Sequence, residues 1–373
     1  MMVYPMATRI SLDSLPTPAL LLDLDVVERN LRTMAGRASS LGVALRPHIK
    51  THKCIELAQR QRALSVSGIT VSTLDEARVF AGRGFDDITW AFPVIFSRLG
   101  EVRELAARVT LRVVADSFAA VDALAGLASP ERPLRVWLKV DCGYHRAGVD
   151  PAAPEAIRLA EKIAGAPSLV FDGLLSHSGH AYHGGSRQEI AAIAEEERAV
   201  MAGFAERLRG LGVAVPAVSV GSTPAMSVVE SLAGVTEARP GNYVFYDFTQ
   251  VALGSCAVRD CGVTVLASVV SSRAGQSIVD AGALALSKDA GPAGRETLGE
   301  IFADYDAGTL EPDARLVSLS QEHGIVSAAL AVGSRVRILP NHSCLAVACF
   351  DEYQVVRGGE VVDRWKIWRG RSL

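Results

Sequence analysis

The 373-residue chain has no CxxC pair, no apolar run of the roughly 18 residues a membrane span needs, and no large excess of either charge. Each absence removes a class of function. The six cysteines (54, 142, 256, 261, 344 and 349) are scattered, which suits reduced thiols better than a disulfide framework. The N-terminus lacks the basic-then-apolar pattern of a secretory leader, so the expectation is a soluble cytoplasmic protein. A formal net charge of −3 with an ordinary charged fraction favours neither nucleic acid nor an anionic membrane as partner. There is no internal repeat and no low-complexity tract.

What is present is a rhythm. Pro18–Asp23 reads as a strand, and Asp25 as the N-cap of a helix through Val26, Val27, Asn30, Leu31 and Met34. Apolar strand-like runs follow at 43–50, 68–72, 87–92, 110–115, 134–141, 168–176, 217–221 and 235–239. Alanine-rich amphipathic segments lie between them: 55–64, 74–81, 98–107, 118–127, 155–163 and 189–211, with only 224–232 for the seventh unit. Buried parallel strands read as near-continuous apolar runs, and each crossover needs a helix. Eight such units predict a (β/α)8 TIM-type barrel over 24–246.

Beyond Tyr246 the periodicity changes. Short β-branched runs at 263–271, 277–280, 315–319, 335–339, 344–349, 353–356 and 361–367 are broken by Gly and Pro turns. Arg357-Gly-Gly-Glu360 reads as a hairpin turn. The expectation is an antiparallel β domain formed by 247–373, joined by the N-terminal residues 1–23, with a linker near 247–253.

In such a barrel, chemistry sits at the C-terminal ends of the strands. The ends here read Lys50-Thr-His52, Lys139-Val-Asp-Cys-Gly-Tyr-His-Arg146, Ser176-His-Ser-Gly-His-Ala-Tyr182, Gly221-Ser-Thr223 and Arg239-Pro-Gly-Asn-Tyr243. The basic run Arg46–Lys53 is a solvated loop, a phosphate contact, an ion-pair partner or the seat of a Schiff-base lysine. The seventh and eighth turns suit a phosphate held by backbone N–H groups. A phosphate site facing a strand-end lysine is what pyridoxal phosphate requires. In the β domain, His342 and Cys344, read as two positions on one face of a strand, offer imidazole and thiolate, a pair that suits Zn2+. Glu322-His323-Gly324 is a further polar knot.

Taken together, Arg46–Lys53, Lys139–Gly148, Ser219–Thr223, Arg239–Asp247, Leu319–Gly324 and Pro340–Cys344 resemble the motifs of the D-serine dehydratase and D-threonine aldolase family, in order and over nearly the whole chain. The resemblance implies an alanine-racemase-like fold, pyridoxal 5'-phosphate as cofactor, and a homodimer with active sites near the subunit interface. It also implies that Lys50 rather than Lys53 is the Schiff-base lysine. Gly221, Ser222, Thr223, Gly241, Asn242 and the adjoining Tyr243 would hold the cofactor, with Arg146 and Tyr182 facing its ring. His342 and Cys344 would bind a divalent metal: Zn2+ by the thiolate, with Mn2+ or Mg2+ as alternatives. Dehydratase-like members tend to carry His-x-Cys, which points to ammonia release from D-serine or D-threo-3-hydroxyaspartate. The rival is retro-aldol cleavage with His177 or His180 as base. An amino-acid racemase or a non-catalytic pyridoxal phosphate carrier is less consistent with the metal pair and the second domain.

Overall fold

A computed structural model describes residues 10–370 of the chain. The expected contribution of residues 1–9 to the β domain lies outside the described residues. Two compact units form: one from residues up to 33, 51–57 and 242–369, the other from 34–50 and 58–241.

Chain order begins with β1 (Ile10–Ser11), β2 (Ala19–Asp23) and α1 (Leu24–Ser40). The helix is capped by Asp23, whose Oδ1 accepts from Val26 N at 3.0 Å, not by Asp25. An apolar strand thus runs straight into its helix, with the strand's last residue as cap.

The second unit is a parallel barrel. Its strands are β3 (Ala44–Leu45), β4 (Ile69–Val71), β5 (Asp87–Pro93), β6 (Thr110–Ala115), β7 (Leu134–Lys139), β8 (Leu169–Leu175), β9 (Ala217–Val220) and β10 (Glu237–Ala238). The hydrogen-bonded order β3-β10-β9-β8-β7-β6-β5-β4 closes through a parallel bridge between His48 and Thr70. Helices α2 (Ile55–Arg62), α3 (Leu74–Ala81), α4 (Leu99–Ala106), α5 (Phe118–Leu127), α6 (Pro154–Gly165), α7 (Arg187–Gly210) and α8 (Thr223–Val228) make the crossovers. Their starts follow capping chemistry: Thr73 and Glu76 form a capping box on α3, and Ser117, Ser186 and Ser222 cap α5, α7 and α8. Strand β8 needs its glycine, because Gly173 has φ +124° and a Cβ there would overlap the Ala217 carbonyl of β9.

The barrel is not purely apolar. Arg46, 4% exposed, donates to Glu237 at 2.6 Å and to Asp87 at 2.5 Å. Asp87 also pairs with Arg112, which reaches Asp172 at 2.8 Å; Arg135 meets the same Asp172. Ser219 donates to Glu237 at 2.6 Å, and Arg239 donates to Ser219 Oγ and the Ser176 carbonyl.

The first unit completes with α9 (Phe248–Ala252), β11 (Val263–Arg273), β12 (Gln276–Val279), α10 (Ala283–Leu286), β13 (Glu300–Asp304), β14 (Thr309–Leu319), β15 (Gly324–Val326), β16 (Arg335–Leu339), α11 (Ser343–Val347), β17 (Glu352–Arg357) and β18 (Glu360–Lys366). Its ten strands run β1-β18-β17-β2-β11-β12-β15-β14-β13-β16, and β11 also pairs with β16, so the sheet rolls toward a barrel. All pairings are antiparallel except β17 with β2. Leu15, Ala19, Leu21, Leu266, Val356 and Val361 form one core under the N-terminal strands. Between β17 and β18, Gly358 and Gly359 have φ of +59° and +79°, as a type I′ hairpin turn demands. One expected strand is absent: 344–349 is the helix α11 and its end, so the same-face strand argument for His342 and Cys344 does not hold.

Candidate active site

Two clusters of polar side chains carry the predicted residues. The first is at the C-terminal ends of the barrel strands. Lys50 follows β3 in a short 3-10 turn, Ile49–Thr51. His177 follows β8 and its Nδ1 lies 3.1 Å from the Gly221 carbonyl. A carbonyl only accepts, so Nδ1 carries the proton and Nε2 presents a lone pair. Burial pushes the His177 pKa well below the usual imidazole value, and the charges of Lys50, Lys139 and Arg146 push the same way. His177 is therefore a neutral imidazole at neutral pH.

His180 stacks on Tyr144 with ring centroids 6.0 Å apart, and His177 meets the same ring edge-on at 6.3 Å. Arg146 is exposed and lies 4.8 Å over the Tyr144 ring. Tyr182 is half-buried in the 3-10 turn Gly179–His183. The buried His180 Nδ1 finds no hydrogen-bond partner among the described residues. Gly221 has φ +118° and a Cβ there would stand 3.1 Å from Arg239 N, so only glycine leaves this backbone bare. Ser222 and Thr223, both buried, open α8 beside it. Gly241 ends this unit, and Pro240 before it accepts from His48 N at 3.0 Å.

Two members of this cluster were not singled out from the sequence. Lys139 is 9% exposed, and burial, aided by the charge of Arg239, lowers its ammonium to about 8. Its position at a strand end is legible in the sequence; its burial is not. Glu197 comes from the middle of α7 and accepts from Ser176 Oγ and Ser178 Oγ, each at 2.7 Å. No sequence signal marks it. Burial and this carboxylate raise the Cys142 thiol to about 12, so Cys142 stays protonated.

The second cluster belongs to the other unit. His342 is the residue before α11 and Cys344 is in its first turn. His342 Nδ1 is 3.2 Å from Asp247 Oδ2, and the imidazole also hydrogen-bonds the Cys344 side chain. Burial opposes the charge on His342, but a Cys344 thiolate and the Asp247 carboxylate raise its pKa to about 11. Cys344 Sγ is 3.3 Å from the Thr51 hydroxyl. Asn242 directs Nδ2 at Asp247 (2.6 Å) and Ser343 Oγ (3.0 Å), so its side chain faces this cluster. Tyr243 is buried next to it. Among the described residues no three His, Cys, Asp or Glu side chains form a metal cage. A cation held by two protein donors would keep its other positions open to water or substrate. The helix thus replaces the strand as the device that brings imidazole and thiol together.

Comparison with known proteins gives the family. The family described as alanine racemase, N-terminal domain, matches residues 22–247, and a serine dehydratase domain matches 262–356. D-threo-3-hydroxyaspartate dehydratase of Delftia sp. strain HT23 is 37% identical, covering 96% of this chain and 98% of that one. D-serine dehydratase of Dictyostelium discoideum is 36% identical (95% and 97%), and D-threonine aldolase of Arthrobacter sp is 31% identical (94% and 92%). The solved Delftia structure superposes with a TM-score of 0.92, covering 97% of this chain and all of that one. Solved variants of D-threo-3-hydroxyaspartate dehydratase include a Cys-to-Ala form that is metal-free and a His-to-Ala form, the two altered positions lying two apart. The chain belongs to the D-serine dehydratase and D-threonine aldolase family, lyases of the alanine-racemase-like, pyridoxal phosphate-dependent fold.

Proposed function

We propose that this protein is a pyridoxal phosphate- and metal-dependent dehydratase. It converts a β-hydroxy-D-amino acid, such as D-serine or D-threo-3-hydroxyaspartate, into a 2-oxo acid and ammonia, working as a cytoplasmic homodimer. The observation that carries the reading is the Cys344 thiol 3.3 Å from the Thr51 hydroxyl. Thr51 directly follows Lys50 in the sequence.

The residues present suit the cofactor. Bare backbone at Gly221, the opening of α8 at Ser222 and Thr223, and the Gly241 turn offer donors for a phosphate. Tyr144, Arg146, Tyr182 and His180, whose buried Nδ1 awaits a partner, offer a wall for the ring. Pyridoxal phosphate, when bound, supplies an aldehyde for a lysine amine and a ring that accepts the electron pair left at Cα. Lys50 would be that amine, and its Nζ, free while substrate is bound, would take the Cα proton. Neutral His177 adds no positive charge beside the lysine. His342 and Cys344 would hold the cation, with Zn2+ favoured by the thiolate, to polarise the β-hydroxyl. Loss of that hydroxyl and hydrolysis of the released enamine give the oxo acid and ammonia.

His177 Nε2 is also a competent base for a β-hydroxyl proton, which supports the second reading: retro-aldol cleavage to glycine and an aldehyde. Product analysis separates them. Purified protein loaded with pyridoxal phosphate and Zn2+ is given D-serine, D-threonine or D-threo-3-hydroxyaspartate. Ammonia and oxo acid are expected; glycine in place of ammonia overturns the dehydratase reading. A chelator is expected to stop turnover while the cofactor's absorbance remains.

A further inference from the structure

Asp247 is fully buried, and its two oxygens have separate tasks. Oδ1 caps α9 by accepting from Gln250 N at 3.0 Å. Oδ2 collects Asn242 Nδ2 at 2.6 Å, Ser343 N at 3.0 Å, Ser343 Oγ at 3.3 Å and His342 Nδ1 at 3.2 Å. Every one of these partners is a donor or carries a donor, so the hub requires an acceptor on both oxygens. A carboxylate at Nδ1 fixes the imidazole's orientation and tautomer, directing Nε2 toward whatever the ring ligates. The same oxygen holds the backbone N–H of Ser343, the residue between His342 and Cys344. It therefore positions both donors of the pair at once.

A second observation points the same way. Asn242 is 2% exposed, and its Oδ1 has no hydrogen-bond partner among the described residues. Its Nδ2 lies 3.8 Å from Cys344 Sγ, so the orphaned acceptor belongs to the thiol's surroundings. A buried acceptor without a donor is costly, and a water held on a cation is a donor.

We propose that Asp247 is the positioning residue of the metal site: it orients His342 through Nδ1–H and sets the Ser343 backbone so that imidazole and thiolate bind one divalent cation. The proposal rests on the metal-dependent reading above. It predicts that Asp247→Asn, which places an amide against a ring of donors, weakens the cation about 10–100-fold, the usual loss when such a partner is removed.

The test uses the full-length enzyme loaded with pyridoxal phosphate and titrated with Zn2+ against a competing chelator. Wild type is expected to bind one Zn2+ per chain, and Asp247→Asn to bind it at least tenfold more weakly with its cofactor absorbance retained. Equal affinities overturn the role of Asp247 alone. Wild type that takes up no Zn2+ or Mn2+ overturns the metal reading with it. Should Asp247→Asn fail to fold, the Co2+-loaded wild type decides. Its proton spectrum should contain one hyperfine-shifted, exchangeable imidazole N–H, retained slowly in D2O because a buried carboxylate accepts it. Rapid loss of that signal, or its absence, overturns the proposal.

Discussion

Replacing Arg46 with Met tests whether the barrel depends on its buried charges. Arg46 is 4% exposed and Glu237 8%. Truncation would leave the Glu237 carboxylate with only the Ser219 hydroxyl at 2.6 Å and the charge of Arg239 in reach. Removing one partner of a buried pair costs about 3–5 kcal/mol, because the other charge stays desolvated. Residual compensation by Ser219 and Arg239 sets the expectation at the lower end, about 3 kcal/mol. Asp87 contributes little, being a third exposed and still paired with Arg112. With a urea m-value of about 3 kcal/mol/M, the midpoint should fall by about 1 M. Trp90 and Trp137, both buried in the barrel, report the transition by fluorescence. Adding Glu237→Gln removes the stranded charge and should recover part of the loss. A midpoint unchanged by Arg46→Met, or a double variant no better than the single, would refute the reasoning.

Two further outcomes follow from the barrel mouth. Lys50→Ala should abolish the covalent bond to pyridoxal phosphate that borohydride traps, read by mass, and lower turnover by about 10^2–10^4-fold, whereas Lys53→Ala keeps the adduct. Lys139 has a folded pKa of about 8, below its usual 10.5, so the unfolded chain binds more protons between those values and stability rises with pH across that window. The difference of 2.5 at 1.36 kcal/mol per unit bounds the penalty at about 3 kcal/mol below pH 8. Cofactor-free Lys139→Met should therefore be more stable than wild type at pH 7, the gap closing by pH 10.5. A gap that widens with pH in urea titrations would contradict it.

The barrel was legible because its signals are local. Parallel strands such as Leu134–Lys139 read as apolar runs, and α3 and α5 occupy the residues their periodicity predicts. The β domain was less legible. Ser343–Val347 is apolar and too short for periodicity to separate helix from strand, and its first N–H is held by Asp247, distant in sequence. Strand β13 and the first half of β14 were missed because Glu300–Asp304 and Thr309–Asp313 lack sustained alternation, and register shifts interrupt their pairing. At the candidate site, motif positions single out Lys50, Gly221, Gly241 and the His342–Cys344 pair as candidates. The groups that tune them were hidden: Glu197 is one acidic residue among several on α7, and only packing shows that it alone meets Ser176 and Ser178.

The charged and polar groups described in the barrel form a hoop. From Glu237 on β10 contacts pass to Arg46, to Asp87 on β5, to Arg112 on β6 and to Asp172 on β8. From Ser176, just past β8, Arg239 carries them through Ser219 on β9 back to Glu237. Parting β5 from β6 means breaking the Asp87–Arg112 pair, and parting β7 from β8 the Arg135–Asp172 pair. Most links run through side chains, and the step from Asp172 to Ser176 follows the chain along and just past β8. New chain ends placed in a surface loop would leave the hoop whole, so the barrel is suited to circular permutation in a way that its β domain, pinned by the early strand β2 between β11 and β17, is not.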